Sequence, residues 1–151
     1  MPMNVCMNVQ KAGVLGTTIL LVEDNKAQKM VCERILQRAG FSVICAVDGE
    51  QAVSAAREKR PDIILLDMLL PKMSGIQVLQ SLQQDGTTAR IPVIVLSALP
   101  QANEAKLRAL GAVAYFVKSR LFESKTGETD LIGLLERTAR EGREQNAATA
   151  G

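Results

Sequence analysis

Hydrophobic residues along the chain fall into short, nearly continuous runs that alternate with stretches of helical spacing. In the third run, residues 63–66, every position is isoleucine or leucine, and an acid, Asp67, follows directly. Such runs of branched residues are typical of strands in a parallel sheet that is covered on both faces. We therefore predict an α/β fold, a doubly wound parallel sheet of five strands with five helices. The predicted strands are 18–22, 41–47, 63–67, 91–96 and 113–117.

Cap and turn residues set the expected limits of the helices. Gly40 ends the first helix, Asp48 caps the second, and Pro61 stops it. The helices are predicted over about 25–39, 49–59, 76–82 and 100–110, with a last helix around 131–138. Both ends of the chain are rich in small and polar residues. We expect one domain over residues 17–141, a flexible extension over 1–16 and a flexible tail over 142–151.

Composition narrows the function classes. The net charge is +2 and the chain has one tyrosine, three phenylalanines and no tryptophan, so it offers neither a strong positive field nor stacking platforms for nucleic acid. No apolar run reaches the length of a membrane span, and the N-terminus does not resemble a signal peptide. Three cysteines without CxxC spacing favour reduced thiols in a cytoplasmic protein. The absence of histidine excludes a His-based triad and a His zinc site.

Polar residues follow four of the predicted strands directly. Glu23 and Asp24 come after the first strand and Asp67 ends the third, while Ser97 and Lys118 come after the fourth and fifth. In sheets of this kind the ligand site lies beyond the carboxyl ends of the strands. We therefore expect these five side chains to form one site.

Three carboxylates at one edge of a sheet repel one another. At an effective dielectric near 20, one pair about 4 Å apart costs about 4 kcal/mol. A cation that prefers oxygen ligands relieves this repulsion, and Mg²⁺ binds one or two carboxylates while it keeps several waters. A lysine and a hydroxyl nearby suit the neutralisation of a phosphoryl group during its transfer to an aspartate.

The segments that carry these residues resemble the receiver domain of two-component response regulators, of the stand-alone, single-domain type. The similar segments are 19–25, 62–75, 93–98 and 112–119, and the resemblance extends over roughly residues 17–140. It implies a flavodoxin-like fold and a phosphoacceptor switch in a histidine-to-aspartate phosphorelay. It also implies a protein that is not an enzyme, beyond assisting its own phosphorylation and dephosphorylation.

The resemblance assigns roles around the metal and the acceptor. Asp67 would be the phosphoacceptor and a Mg²⁺ ligand. Asp24 would bind Mg²⁺ directly, and Glu23 mainly through water. The backbone carbonyl of Leu69 would be the third protein ligand.

The resemblance also implies a switch and its partners. Ser97 would be the switch hydroxyl, Lys118 the cation that pairs with the phosphate, and Tyr115 the aromatic whose rotamer follows Ser97. The phosphoryl donor would be a histidine kinase or a histidine phosphotransfer protein. The signal would pass to a downstream protein, and a dimer that forms on phosphorylation is compatible with the family. Neither nucleic acid nor membrane is expected as a partner.

The chain departs from the receiver pattern after the lysine. Receivers commonly have a proline there, in a cis bond, whereas this chain has Ser119. The segment 119–130 is also several residues longer than the usual entry to the last helix.

Three other functions fit part of the pattern. A phosphatase of the haloacid dehalogenase type also uses a strand-end aspartate, but it needs an acid two residues later, where this chain has Leu69. A flavodoxin-like nucleotide binder needs a first loop that binds phosphate, and Glu23 and Asp24 would repel one. A receiver-like interaction module that works without phosphorylation would keep the same residues, so the sequence leaves it open.

Overall fold

The computed structural model describes residues 16–68, 74–97, 104–123 and 125–150, without the side chains at 123, 125 and 143–150. Its single sheet is parallel and has the strand order β2-β1-β3-β4-β5, which is the flavodoxin-like doubly wound order. The predicted fold class is confirmed. The strands are β1 (Thr18–Val22), β2 (Ser42–Ala46), β3 (Ile63–Asp67), β4 (Val93–Ser97) and β5 (Ala112–Val117).

Helices follow the strands on both faces of the sheet. Within the described ranges they are α1 (Lys26–Arg38), α2 (Gly49–Lys59), α3 (Gly75–Gln84), α4 (Glu104–Ala109), α5 (Ser119–Glu123) and α6 (Lys125–Ala150). The described part of the chain contains no helix that is long and apolar enough to cross a membrane.

Alternating side chains of the strands build two hydrophobic layers. Ile19 and Leu21 of β1 point into the layer under α1 and α6, whereas Leu20 and Val22 point into the layer under α2, α3 and α4. All residues of β3 and β4 are buried, because these central strands are covered on both faces. The buried central strands hold their carboxyl ends, and the residues that follow them, in a fixed arrangement.

Side-chain caps begin three of the helices. Asp48 Oδ1 accepts a hydrogen bond from the Gln51 amide at 2.8 Å, as predicted for the cap of α2. Asn25 caps α1 in the same way. Ser74 and Gln77 exchange hydrogen bonds in a capping box at the start of α3. Each cap satisfies backbone donors that have no partner inside the helix.

The region after β5 differs from the prediction of five helices. The short helix α5 occupies Ser119–Glu123, where the sequence analysis expected only a long entry to the last helix. Five residues without a capping motif carry almost no local helix signal. The last helix, α6, continues to Ala150, past the expected domain limit at 141. Residues 141–150 include alanine, glutamate, arginine and glutamine, which favour helix; the flexibility of 142–151 stays a prediction.

Arg60 provides a test of backbone strain. It ends α2 in the left-handed conformation, with φ 47° and ψ 62°, and its amide donates to Ala56 O. This conformation costs a residue with a Cβ about 1–2 kcal/mol, and glycine escapes most of that cost. Since the Arg60 side chain is exposed, we expect Arg60→Gly to raise the free energy of unfolding by about 0.5–1 kcal/mol, measured by urea denaturation.

A neighbouring substitution is the matched control. Lys59 is also exposed, but it is the last residue of α2 with helical geometry. Lys59→Gly should therefore lower the free energy of unfolding, by up to about 1 kcal/mol. Equal destabilisation by the two glycines would show that the left-handed cap stores no strain.

Candidate functional site

Parallel pairing of the strands brings the acidic residues together. Val22 pairs with Leu66, so the next residues, Glu23 and Asp67, lie level at the carboxyl edge of the sheet. Asp24 follows Glu23, and one carboxylate oxygen from each of the three acids lies within 4.8 Å of the others. The predicted acidic cluster is therefore present.

The same logic brings the hydroxyl and the lysine to this edge. Ser97 is the last residue of β4 and pairs with Val117 of β5. The next residue, Lys118, donates its amide to Ser97 O at 2.7 Å. From there the Lys118 side chain extends across the end of β4 to the acids. Ser97 is 8% exposed, so the hydroxyl-bearing residue sits in the wall of the site.

Lys118 forms ion pairs with two of the three acids. Its Nζ lies 2.9 Å from Asp67 Oδ2 and 2.6 Å from Glu23 Oε1. The lysine side chain is 12% exposed and that of Glu23 is 0% exposed. The sequence analysis predicted Lys118 beside the acceptor but not its direct contact with Glu23. The placement of Glu23 one residue beyond a buried strand is the sequence signal that could have indicated it.

Both carboxylate oxygens of Glu23 have partners. Its Oε2 accepts the Asn25 amide at 3.1 Å. Its Oε1 is buried and lies 2.6 Å from Lys118 Nζ, so the lysine engages it in a buried ion pair. Three carboxylates that each offer an oxygen within 4.8 Å of the others are a donor set that suits a hard divalent cation. The residues present therefore fit Mg²⁺.

Burial and charge shift two pKa values in this cluster. Burial raises the pKa of Glu23 above its usual range; Lys118 opposes this effect and the nearby charge of Asp67 adds to it. Burial alone would lower the pKa of Lys118, but its contacts with Glu23 and Asp67 outweigh burial and raise it. Lys118 therefore stays charged, and it balances one of the three carboxylates. Counted over the described residues alone, the three carboxylates outnumber this one cation, which favours the binding of a further cation.

Comparison with known proteins identifies the family. A family model described as the response regulator receiver domain matches residues 19–124, more than half of the chain. The chain belongs to this family. Receiver domains act in two-component systems as signalling switches, are not classical enzymes, and interact with histidine kinases and downstream proteins. Membership weighs against both the dehalogenase-type phosphatase and the nucleotide binder.

Two curated relatives show the level of similarity. The polar-differentiation response regulator DivK of Brucella anthropi is 34% identical over 102 residues, which are 67% of this chain and 83% of DivK. The DNA-binding dual master transcriptional regulator RpaA of Synechocystis is 35% identical over 122 residues, 81% of this chain but only 50% of RpaA. The similarity to RpaA therefore concerns half of that regulator.

Two solved receiver structures hold a metal. The receiver domain of a Pseudomonas aeruginosa sensor histidine kinase, which has a magnesium ion in its active site cleft, superposes with a TM-score of 0.71 at 31% identity, over 82% of this chain and 97% of that one. The Mn²⁺-bound response regulator Rcp1 gives a TM-score of 0.65 at 29% identity, over 78% and 91%. These similarities agree with an acidic cluster in this receiver that could bind a metal.

Gly75 packs closely against the residue that follows Asp67. This glycine is the first residue of α3 and is not among the glycines with positive φ, so no turn conformation requires it. A Cβ at this position would lie 2.8 Å from Met68 Cα. The Gly75 amide donates to Met68 O at 3.2 Å, directly after Asp67. The absence of a side chain at Gly75 thus allows the start of α3 to approach Met68 closely.

The Leu69 carbonyl predicted as a metal ligand lies outside the described residues.

Tyr115 lies on the edge strand of the receiver. It pairs with Val95, two residues before the pairing of Val117 with Ser97. Its side chain is partly buried and packs against the layer under α2, α3 and α4. The strand position is compatible with the predicted switch aromatic, and that role stays a prediction.

The described cysteines of the receiver are free thiols. Burial raises the pKa of Cys32, on α1, to about 12, and that of Cys45, on β2, to about 11. Thiols with such pKa values are poor nucleophiles near neutral pH. Cys32 and Cys45 therefore pack against the core as reduced thiols, the state that the sequence analysis expected.

Proposed function

We propose that this receiver is a phosphoacceptor switch that takes a phosphoryl group onto Asp67 and signals by binding another protein. One observation supports this function above all. Three carboxylates and one lysine converge at the carboxyl edge of the sheet, with Lys118 Nζ 2.9 Å from Asp67 Oδ2. Stability alone does not account for this arrangement, because burying several charged groups together costs free energy. Clusters of this kind are typical of functional sites.

The residues of the chain would divide the transfer between them. An Asp67 oxygen attacks the phosphorus of a phosphohistidine on a histidine kinase or phosphotransfer protein. The P–O bond forms as the P–N bond breaks, and the electron pair of that bond returns to the imidazole. Lys118 neutralises the oxygens of the transferred group, and Ser97 donates a hydrogen bond to one of them. Both residues already lie at this edge of the sheet, so little reorganisation is needed.

Glu23, Asp24 and Asp67 would hold Mg²⁺. When bound, Mg²⁺ would supply positive charge against the oxygens of the phosphoryl group. The three acids differ in exposure, since Glu23 and Asp67 are buried whereas Asp24 is exposed. Asp24 would therefore offer the ligand atom on the solvent-exposed side of the site. Glu23, on the buried side, would hold Lys118 in position through their ion pair.

The phosphorylated state would be recognised by a downstream protein. Phosphorylation adds about −1.5 to −2 charge, which draws Ser97 and Lys118 towards the new group. Lys118 is bound to β4 through its amide, so a change at Lys118 can reach β4 and β5. Tyr115, on β5, would change its side-chain position with Ser97. Protein binding, rather than binding to nucleic acid or membrane, is the proposed output, and a phosphorylation-dependent dimer is one form that it can take.

Wild-type labelling tests the proposal. Incubation with Mg²⁺ and acetyl phosphate should add one phosphate, seen as a single mass increase in the intact protein. The adduct should be lost in hydroxylamine, because acyl phosphates react with this nucleophile. Peptide mapping should place it on the fragment with Asp67. No labelling with Mg²⁺ present would instead favour the interaction module that works without phosphorylation.

Asp24→Asn tests the metal site. The substitution removes one charged ligand from the open side, so we expect the affinity for Mg²⁺ to fall by at least about tenfold. It also removes repulsion from the metal-free cluster, so the melting temperature in chelator should rise modestly. Thermal melts across a Mg²⁺ titration measure both effects.

Asp62→Asn is the matched control for Asp24→Asn. Asp62 is exposed and lies before β3, where its Oδ2 accepts the Thr18 amide at 2.7 Å. An asparagine oxygen can accept the same bond, and position 62 is a strand length away from the cluster. Its Mg²⁺ response should match that of the wild type. A metal-induced shift of the same size in Asp24→Asn would remove Asp24 from the ligand set.

A further inference from the structure

The main chain of Lys118 is held from two sides. On one side its amide donates to Ser97 O at 2.7 Å, and on the other its carbonyl accepts the Leu121 amide at 3.1 Å. Leu121 belongs to α5, the helix that begins directly after the lysine. The position of Lys118 therefore depends on α5, a helix of five residues that needs tertiary contacts to persist.

Gly127 provides one of these contacts. It is a buried residue in the first turn of α6. A Cβ at this position would overlap the carbonyl oxygen of Arg120 and lie 2.5 Å from its carbonyl carbon. It would also lie 3.2 Å from the Leu121 amide nitrogen. Since all three atoms belong to the backbone, α5 and α6 would have to move apart to make room.

The Arg120 side chain adds further contacts between α5 and its neighbours. Its guanidinium lies over the Phe116 ring, 5.3 Å from the ring centre, and forms an ion pair with Asp130 of α6. Phe116 is part of the buried layer under α6, as is Leu121. Arg120 lies on α5, two residues after Lys118, and its side chain thus contacts both β5 and α6.

We propose that Gly127 is a positioning residue for Lys118. Its missing side chain lets the Arg120 backbone pack against α6, which fixes α5 and, through the Leu121–Lys118 hydrogen bond, the lysine that contacts Asp67. The effect on phosphoryl transfer rests on the function proposed above. The effect on the Lys118 main chain does not.

Two measurements on Gly127→Ala test this role. Amide hydrogen exchange by NMR should show faster exchange at Leu121 and Lys118, by on the order of tenfold. Phosphorylation by acetyl phosphate should slow by on the order of tenfold, because a displaced lysine neutralises the phosphoryl oxygens less well. Unchanged exchange at Leu121 would overturn the proposal.

The same substitution in a Lys118→Met protein distinguishes a positioning role of Gly127 from general destabilisation. In Lys118→Met the lysine is gone, so Gly127→Ala should cause no further slowing of phosphorylation, while its effect on Leu121 exchange persists. The rates are measured at high donor concentration. Equal slowing by Gly127→Ala in both backgrounds would overturn a role through Lys118.

Gly133→Ala is the matched control. Gly133 lies in the same helix, and a Cβ there would meet no atom within 4 Å. This substitution should raise the stability through helix propensity and leave exchange and phosphorylation unchanged.

Arg120→Ala covers the case in which Gly127→Ala does not fold. It keeps Gly127 and removes the half-exposed Arg120 side chain beyond Cβ, so Leu121 exchange should still rise, by a smaller factor. Unchanged exchange in Arg120→Ala would then overturn the proposal. Failure of the wild type to label would contradict the proposed function alone, because the exchange rates would still decide whether Gly127 holds the Lys118 main chain.

Discussion

Asp67→Asn should accept no phosphoryl group under conditions in which the wild type gains one. The amide oxygen of asparagine is a far weaker nucleophile than a carboxylate, and no acyl phosphate forms on it without loss of ammonia. The other two carboxylates of the cluster are not equivalent to Asp67. Glu23 is buried with its oxygens engaged by Lys118 and the Asn25 amide, and Asp24 is exposed. Intact-mass measurement after incubation with Mg²⁺ and acetyl phosphate checks this expectation.

The same variant should remain folded. The substitution leaves the Glu23–Lys118 ion pair in place and removes one of three like charges. The lost attraction between Asp67 and Lys118 is offset by the lost repulsion from the other acids, so the free energy of unfolding in chelator should stay within about 1 kcal/mol of the wild-type value. Labelling is therefore compared between folded proteins. Labelling of Asp67→Asn to the wild-type level, or a loss of labelling in Asp62→Asn, would contradict the assignment.

The strands were predictable because the central sheet is buried on both faces. Residues 63–67 have no polar position before Asp67, and every one of them is buried. Where they differed, the strand limits were off by one or two residues, most at β4, which was predicted over 91–96 and spans Val93–Ser97. Ser42, the first residue of β2, is exposed, and Val113 on β5 is 46% exposed. Edge strands contact the core on fewer sides, so their sequences are constrained less.

The helix α5 could not be predicted from local sequence. Residues 119–123 carry no capping motif and no apolar repeat long enough to indicate a helix. Contacts with residues outside the segment hold it in place, among them the approach of Arg120 to Gly127 in the next helix. Gly75 illustrates the same limit, since sequence marks a glycine but not whether the backbone angle or a close neighbour requires it.

The sequence placed the site residues at one edge but did not determine their contacts. Parallel pairing alone brings Glu23, Asp67, Ser97 and Lys118 to the carboxyl end of the sheet. Which of two adjacent acids is buried depends on the direction of each side chain relative to the neighbouring strands. The structure buries Glu23 and exposes Asp24. For this reason the Glu23–Lys118 ion pair emerged only from the structure.

Loss of the Lys118 charge should destabilise the metal-free protein. Lys118→Met keeps most of the aliphatic stem but leaves Glu23, which is 0% exposed, without its cation. Removing one partner of a buried ion pair is costly, and we expect a loss of roughly 2 kcal/mol or more in chelator. The pKa of Glu23 is already raised by burial and should rise further. A carboxyl with a raised pKa contributes stability in acid that is lost as the pH rises through that pKa. The deficit, measured by urea denaturation, should therefore be larger near neutral pH than in mild acid.

The same substitution should slow phosphorylation on the order of a hundredfold, because no other described side chain brings a positive charge as close as 2.9 Å to Asp67 Oδ2. Mg²⁺ should stabilise the variant more than it stabilises the wild type, since the cluster then lacks the positive charge of Lys118. Lys106→Met, at an exposed position on α4, is the matched control and should leave the stability, the metal response and the labelling rate unchanged. A Lys118→Met protein that is labelled as fast as the wild type would show that the lysine contributes only to the fold. A stability deficit that does not depend on pH would show that Glu23 does not depend on this lysine for its charge.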